Sequence, residues 1–214
     1  MSSTNAIRRN RTSRENYHHG DLEVALIEAA IELVRKNGPD HLSLRATADQ
    51  VGVSPSAVYH YFPDKDSLIR GVGKKLFEDL FLMQKEALDK IPGSSARAAK
   101  QRYRELGRTY FRWANREPNL FRLMFGGFCS SDFCSTEAQG SYAQAEAFLM
   151  LTKTIDDLYE TGAISSKMRK YGELISWTSV QGASTLIVEG HLPEEAFETL
   201  LDGLELAMGT GNHE

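Results

Sequence analysis

The chain has 214 residues, 41% hydrophobic and 25% charged, with a formal net charge of −4. That composition fits a globular chain with a sizeable core and excludes both a wholly disordered chain and a wholesale polycation, so any nucleic-acid surface must be local. Two cysteines, Cys129 and Cys134, cannot frame a disulfide scaffold. No apolar run reaches the length of a membrane span, and the polar, basic start has no signal-peptide core, so a cytoplasmic protein with no membrane attachment is expected.

In chain order, residues 1–16 read as a disordered basic arm, with Arg8, Arg9, Arg11 and Arg14 set among Ser, Thr and Asn. Asp21 is placed to cap a first helix whose apolar positions Leu22, Leu26, Ala29 and Leu33 step at helical spacing, with Lys36 in its last turn and Gly38-Pro39 as its stop. Ser43 caps a short helix, Leu44 to Val51, which Gly52 breaks. Ser54 caps a third, with Pro55 at the first position, where a missing N–H costs nothing; it ends near Phe62-Pro63. A long helix is expected from about Asp64 to Lys90, with Ile69, Val72, Leu76, Leu80, Met83 and Ala87 on one face. Ser94 or Ser95 opens a basic helix that runs to about Asn115, and Pro118 opens a short apolar one through Phe125. Residues 126–136 read as loop, and further helices are expected at about 137–161, 170–189 and 194–208. The expected class is all-α, about nine helices. Residues 17–65 form an N-terminal three-helix unit, joined by the long helix to a second helical unit that completes 66–214.

Charge is unevenly spread. Residues 97–122 hold eight basic side chains against two acidic ones, whereas 132–214 hold fourteen acidic against four basic. The basic run reads as a solvated helix face in preference to a second nucleic-acid site.

The short pair of helices is the element with a mechanism attached. Two capped helices around a Gly-containing turn are the pattern of a helix-turn-helix. Ala48, Val51, Val53, Val58 and Phe62 supply an inner apolar face. With Val58 inward, Ser56 and His60 point away, flanked by Ala57 and Tyr59, while Tyr61 lies nearer the inner face. Small, hydroxylated and ring side chains of this kind enter a major groove, and the helix starts after Ser43 and Ser54 offer free N–H groups to phosphates.

The stretch Leu42 to Ile69, LSLRATADQVGVSPSAVYHYFPDKDSLI, resembles the DNA-binding domain of the TetR family of bacterial regulators. The resemblance rests on the cap Ser43, Ala48, the turn Gly52-Val53-Ser54, the run Tyr59 to Phe62, Lys65, and the opening Tyr17-His18-His19-Gly20-Asp21-Leu22. It implies that Tyr59 and Lys65 contact phosphates. From their positions on the two helices, Arg45 is a candidate for a phosphate or a base edge, Thr47 for a phosphate, and Ser56, Ala57 and His60 for base edges, the His60 imidazole also being able to reach a phosphate. The bland alternatives are domain packing for Tyr59 and solvated surface positions for Arg45 and Lys65. The remainder resembles the family as a helical ligand-binding and dimerisation domain. Trp177-Thr178-Ser179-Val180-Gln181-Gly182 resembles the Trp-x-x-x-His-Gly element of one subgroup, with Gln181 where that subgroup has His.

Within the second unit, Trp113, Phe121, Met124, Phe125, Tyr142, Phe148, Trp177 and Gln181 are the candidate pocket residues, ordinary core being the alternative. Leu174, Thr178, Gly182 and Leu186 form one stripe, and Phe197, Leu200, Leu201, Leu204 and Met208 another. Both are candidate dimer faces or core, with Gly182, Ala183 and Ser184 small enough for close helix approach. The arginine arm reads either as a minor-groove contact or as a solubility tail. His18-His19 lacks an i, i+4 metal partner, and Cys129 and Cys134 make a weak thiol-sensor pair. No metal, cofactor or catalytic residue is expected, since phosphate-binding, nucleophile-elbow and zinc-protease motifs are missing. The expectation is a homodimeric repressor that binds a palindromic DNA operator and is released by a small-molecule effector. A transcriptional activator, a repressor gated by a protein partner, and a helical-bundle enzyme or carrier are the alternatives.

Overall fold

The computed structural model describes residues 19–126 and 146–209. Among the described residues it is all-helical, with ten α-helices and one 3-10 turn. Helix α1 spans His19–Asn37 and α2 Leu44–Val51. Helix α3 is Pro55–Tyr61, and α4 runs Lys65–Asp89. Helix α5 is Ala96–Arg116, α6 Pro118–Phe125, and α7 is described over Glu146–Glu160. Helix α8 is Ser166–Arg169, α9 Gly172–Val188 and α10 Ala196–Met208.

Local chemistry accounts for the boundaries. Ser43, Ser54 and Ser95 each accept a backbone N–H three residues on, so Ser95 and not Ser94 caps α5. Asp64 and Ser67 form a reciprocal capping box at the start of α4: Ser67 N donates to Asp64 Oδ1 at 2.7 Å, and Asp64 N donates to Ser67 Oγ at 3.2 Å. Hydrogen bonds from Ser67, its N–H first and then its side chain, hold the Asp64 carboxyl below its usual range. Helix α1 begins two residues before Asp21, which therefore lies in the first turn as a dipole partner and is not the cap. The expected 170–189 helix starts at Gly172, and the short α8 precedes it behind its own cap, Ser165. Gly172 is needed for contact: a Cβ there would stand 2.7 Å from Ile155 Cγ2, so any side chain would push α9 off α7.

Helix α1 packs on α2, α4 and α6; α4 packs on α5 and α7; α5 packs on α7 and α9; and α9 packs on α10. One core cluster runs from Leu26 and Val58 in the N-terminal helices through Leu76 and Leu80 to Trp113, Phe121 and Phe197. A second gathers Leu88, Tyr103, Leu106, Ile155, Leu158 and Met208. On α4 the buried positions are Leu68, Ile69, Val72, Gly73, Leu76, Leu80, Gln84 and Leu88. The stripe thus follows i+4 steps beyond Leu80, and Met83, expected inside, is 37% exposed. Helix α4 packs against α1, α5, α6 and α7, and its buried positions Leu68, Val72, Leu76, Leu80, Gln84 and Leu88 keep an i+4 step throughout.

Part of the basic run of α5 and α6 faces acidic side chains of other helices, whereas Arg97, Arg112 and Arg116 are exposed as expected of a solvated face. Arg104 holds Glu198, Asp202 and Glu205 at 2.8, 2.6 and 3.1 Å, and Arg108 holds Glu198 at 2.6 Å. Arg102 pairs with Asp157 at 3.0 Å, Arg122 pairs with Glu189 at 2.9 Å, and Arg112 pairs with Glu105. Bonded first by Arg108 and then by Arg104, the Glu198 carboxyl is held down at about 2.

Candidate nucleic-acid interface and effector site

In the helix-turn-helix, Gly52 adopts φ +79°, the left-handed conformation that lets the chain reverse, and its N–H closes α2 on Ala48 O. Ala48 and Val58 are fully buried, Phe62 is 4% exposed, and Val51 and Val53 are half-buried against the same cluster. This inner face leaves the outer side of α3 open. Ser56, Tyr59 and His60 are exposed there, Tyr59 by 56%, and Ala57 is half-buried beside them. Tyr61 is half-buried and meets the His60 ring edge-on at 5.3 Å. Ser54 Oγ and Ser56 Oγ are 2.9 Å apart, which fixes the first turn of α3.

Arg45 is exposed near the start of α2, and Lys65 is half-buried at the first position of α4. Neither has an ion-pair partner among the described residues, so both charges remain available to an external anion. Ser43 is exposed and already accepts the Ala46 N–H. Thr47 requires a correction. It is fully buried and donates from Oγ1 to Ser43 O at 2.9 Å, so its hydroxyl braces the helix start and cannot reach a phosphate.

Of the expected pocket residues, Trp113, Phe121, Phe125 and Trp177 form an aromatic cluster around a residue that sequence reasoning missed, Tyr110, whereas Phe148 packs against the second core cluster. Its ring meets Trp177 at 5.4 Å, Trp113 at 6.0 Å and Phe121 at 6.4 Å, and its hydroxyl donates to Gln181 Oε1. Phe125 joins Phe121 at 5.1 Å, Trp177 at 6.3 Å and Phe77 at 6.4 Å. Trp113, Phe121 and Met124 are buried, whereas Phe125, Phe148, Trp177 and Gln181 are half-buried. An open crevice of about 640 Å³ lies elsewhere, between the end of α4 and α7. Phe81, Lys85, Leu88, Leu149 and Lys153 line part of it, and none of the expected pocket residues does. Tyr142, Cys129, Cys134, His18 and the arginine arm lie outside the described residues.

Helix α6 connects this cluster to the N-terminal helices. Glu117 accepts Arg35 Nε at 2.9 Å, and Asn119 Nδ2 donates to the Arg35 carbonyl at 3.1 Å, tying α6 to the end of α1. At its other side, Arg122 donates to Glu189 and to the Val188 carbonyl at the end of α9.

The two candidate dimer stripes separate. Leu174, Thr178 and Leu186 are exposed, Leu174 by 66%, and Gly182 faces open space. Phe197, Leu201 and Leu204 instead belong to the chain's own core: Phe197 is 1% exposed and stacks on Phe111 at 4.1 Å. Leu200 is half-buried against the same cluster. On α10 the exposed apolar residue is Leu206, at 61%.

Residues 26–72 match the family model described as bacterial regulatory proteins of the tetR family, and residues 103–204 match the tetracyclin repressor-like C-terminal domain. A Rhodococcus protein of unknown function shares 24% identity, covering 91% of this chain and 99% of its own, at a TM-score of 0.70. The Bacillus subtilis regulator FadR, solved with stearoyl-CoA, shares 16% identity over 88% of this chain and 99% of its own, with a TM-score of 0.67. A TetR-family regulator from Pectobacterium atrosepticum shares 19% identity over 88% and 93% of the two chains, also at 0.67. At these identities the likeness is one of fold. No curated protein is a match. With a helix-turn-helix that turns its hydroxyl and ring groups outward, and with both halves matched by family models, this chain belongs to the TetR family of transcriptional regulators.

Proposed function

We propose that the protein is a homodimeric repressor that occupies a pseudo-palindromic operator and leaves it when a small molecule binds among α4 to α7 and α9. The observation that carries this reading is the outward face of α3, with Ser56, Tyr59 and His60 exposed over an inner face of buried Val58 and Phe62. Arg45 and Lys65 flank it as phosphate contacts, and Ser43 and Ser54 present the starts of their helices. Ser56, Ala57 and His60 read bases.

The stripe Leu174, Thr178, Gly182 and Leu186 on α9, whose leucines and threonine are exposed, and the exposed Leu206 on α10 support a twofold interface. Two copies would then present two α3 helices to successive major grooves. Release runs through α6. Phe121 and Phe125 sit in the aromatic cluster while Glu117 and Asn119 hold α1, so an effector that displaces α6 also displaces the reader. FadR, a protein of this fold solved with stearoyl-CoA, supports a small-molecule effector in general. Nearly complete release requires the effector to prefer the non-DNA state by about 10⁴-fold.

The test is a mobility shift on DNA from upstream of the chain's own gene. Arg45→Ala should weaken binding on every duplex and flatten its salt dependence, and Tyr59→Phe should weaken binding on every duplex while leaving that dependence unchanged. Binding unaltered by both substitutions would remove α2 and α3 from the interface.

A further inference from the structure

The open crevice beside α4 has two walls of the same make. Phe81, Lys85 and Leu88 form one on α4, and Leu149, Met150 and Lys153 form the other on α7. Its apolar side is not fully covered, for Leu149 is 52% exposed. Most of its polar groups are committed. Lys85 donates to Asp89, and the Thr154 hydroxyl donates to the Met150 carbonyl. The Arg102 guanidinium is shared among Asp157 and the Ile91 and Gly93 carbonyls. Lys153 and Glu146 also line the crevice, and neither has an ion pair or hydrogen bond among the described residues. These two sit at different places. Arg102 ties Asp157 to the chain just past α4 and so closes one end, whereas Glu146 lies eleven residues before Asp157, about 16 Å back along α7. Lys153 is one turn from Asp157 and Lys85 one turn from Asp89, so at the closed end Lys85, Arg102 and Lys153 face only Asp89 and Asp157. One positive charge is left over there, beside an apolar wall.

We infer that this crevice is the effector site and that the effector is an amphipathic carboxylate, its alkyl chain lying on Phe81, Leu88, Leu149 and Met150 and its head on Lys153. The inference rests on the effector-gated reading above and names the class of ligand. A volume of about 640 Å³ is that of a small-molecule site. A chain laid against Leu149 and Met150 removes apolar surface from water, and a carboxylate answers the surplus charge that an ammonium head would meet with repulsion. The site also touches the release path. Phe81 is one turn beyond Phe77, whose ring meets Phe125 of α6 edge-on at 6.4 Å, and α6 holds α1 through Glu117 and Asn119.

Calorimetric titration of the full chain at pH 7 with octanoate, 1-octanol, octylammonium and butyrate tests this. Wild type should bind octanoate about fivefold more tightly than octanol, the worth of a good ion pair at a half-open site, and should bind octylammonium more weakly than either. Butyrate, four methylenes shorter, should bind at least tenfold more weakly than octanoate. In Lys153→Gln octanoate and octanol should bind alike. In Leu149→Ser both should weaken about fivefold. Both side chains are exposed, so the variants should melt with wild type. A preference for octanoate that survives Lys153→Gln overturns the assignment, as do equal binding of octanoate and octanol by wild type, binding of neither, preferred binding of octylammonium, butyrate matching octanoate, or affinities that Leu149→Ser leaves unchanged. Operator binding is measured with and without octanoate. No mobility shift on any duplex in its absence defeats the repressor reading. A shift that saturating octanoate leaves intact defeats this inference alone.

Discussion

Leu174 and Phe197 stand on two candidate dimer stripes, and the structure exposes the first and buries the second. Leu174 is 66% exposed and Phe197 1%. Full burial of a leucine contributes about 1.5–3 kcal/mol, so two-thirds of that, counted twice across a twofold axis, is about 2–4 kcal/mol per dimer. Leu174→Ala removes most of this and should weaken dimerisation roughly 30- to 150-fold, for a loss of about 2–3 kcal/mol. The unfolding of each protomer should hardly change. Phe197→Ala empties a site stacked on Phe111 at 4.1 Å and should destabilise the fold by about 3–5 kcal/mol. For a chain of this size that lowers the melting temperature by roughly 6–20 °C. Sedimentation equilibrium measures the first effect and calorimetry under matched dimer occupancy the second. If Phe197→Ala dissociates the dimer without altering protomer unfolding, and Leu174→Ala leaves it intact, the separation of the two faces is wrong.

Three further outcomes follow from local chemistry. The Glu198 carboxyl, held at about 2, adds stability that is present above the usual glutamate range near 4.5 and is lost as pH falls from there toward about 2. The side chain is half-exposed, so screening limits the effect to about 1 kcal/mol, and Glu198→Gln should flatten that acid limb in pH-dependent unfolding. Gly52→Ala should cost about 1–2 kcal/mol through backbone strain alone, since a Cβ there meets open space, and denaturant unfolding reads it directly. Ser56→Ala should change base preference at one operator position by about 1–3 kcal/mol, whereas Tyr59→Phe should weaken all sequences alike in competition binding at two salt concentrations.

The helix-turn-helix was legible because its signals are local. Ser43, Gly52 and Ser54-Pro55 each fix a boundary through their own backbone chemistry, and Val58 sets the direction of Ser56 and His60. Thr47 was misread because its hydroxyl has a competing local acceptor, Ser43 O, at the distance one helical turn supplies. Gln84 was passed over because a three-residue step from Leu80 leads to Met83, whereas the buried positions of α4 keep the four-residue step that runs from Leu68 to Leu88. A polar residue on that i+4 path was the available signal. The ion pairs of Arg104 with α10 span about a hundred residues, and spacing along the chain carries no trace of them beyond the opposite charge of the two segments.

The central claim is that two copies of α3 read DNA. Selection from a pool of random duplexes, repeated at low and moderate ionic strength, tests it most directly. The account predicts enrichment of a sequence with twofold symmetry, its half-sites separated by about one helical turn or a multiple of it, and its recovery falling as salt rises. No enriched sequence at low ionic strength, or an enriched site without symmetry that Ser56→Ala and Tyr59→Phe leave unchanged, would contradict it.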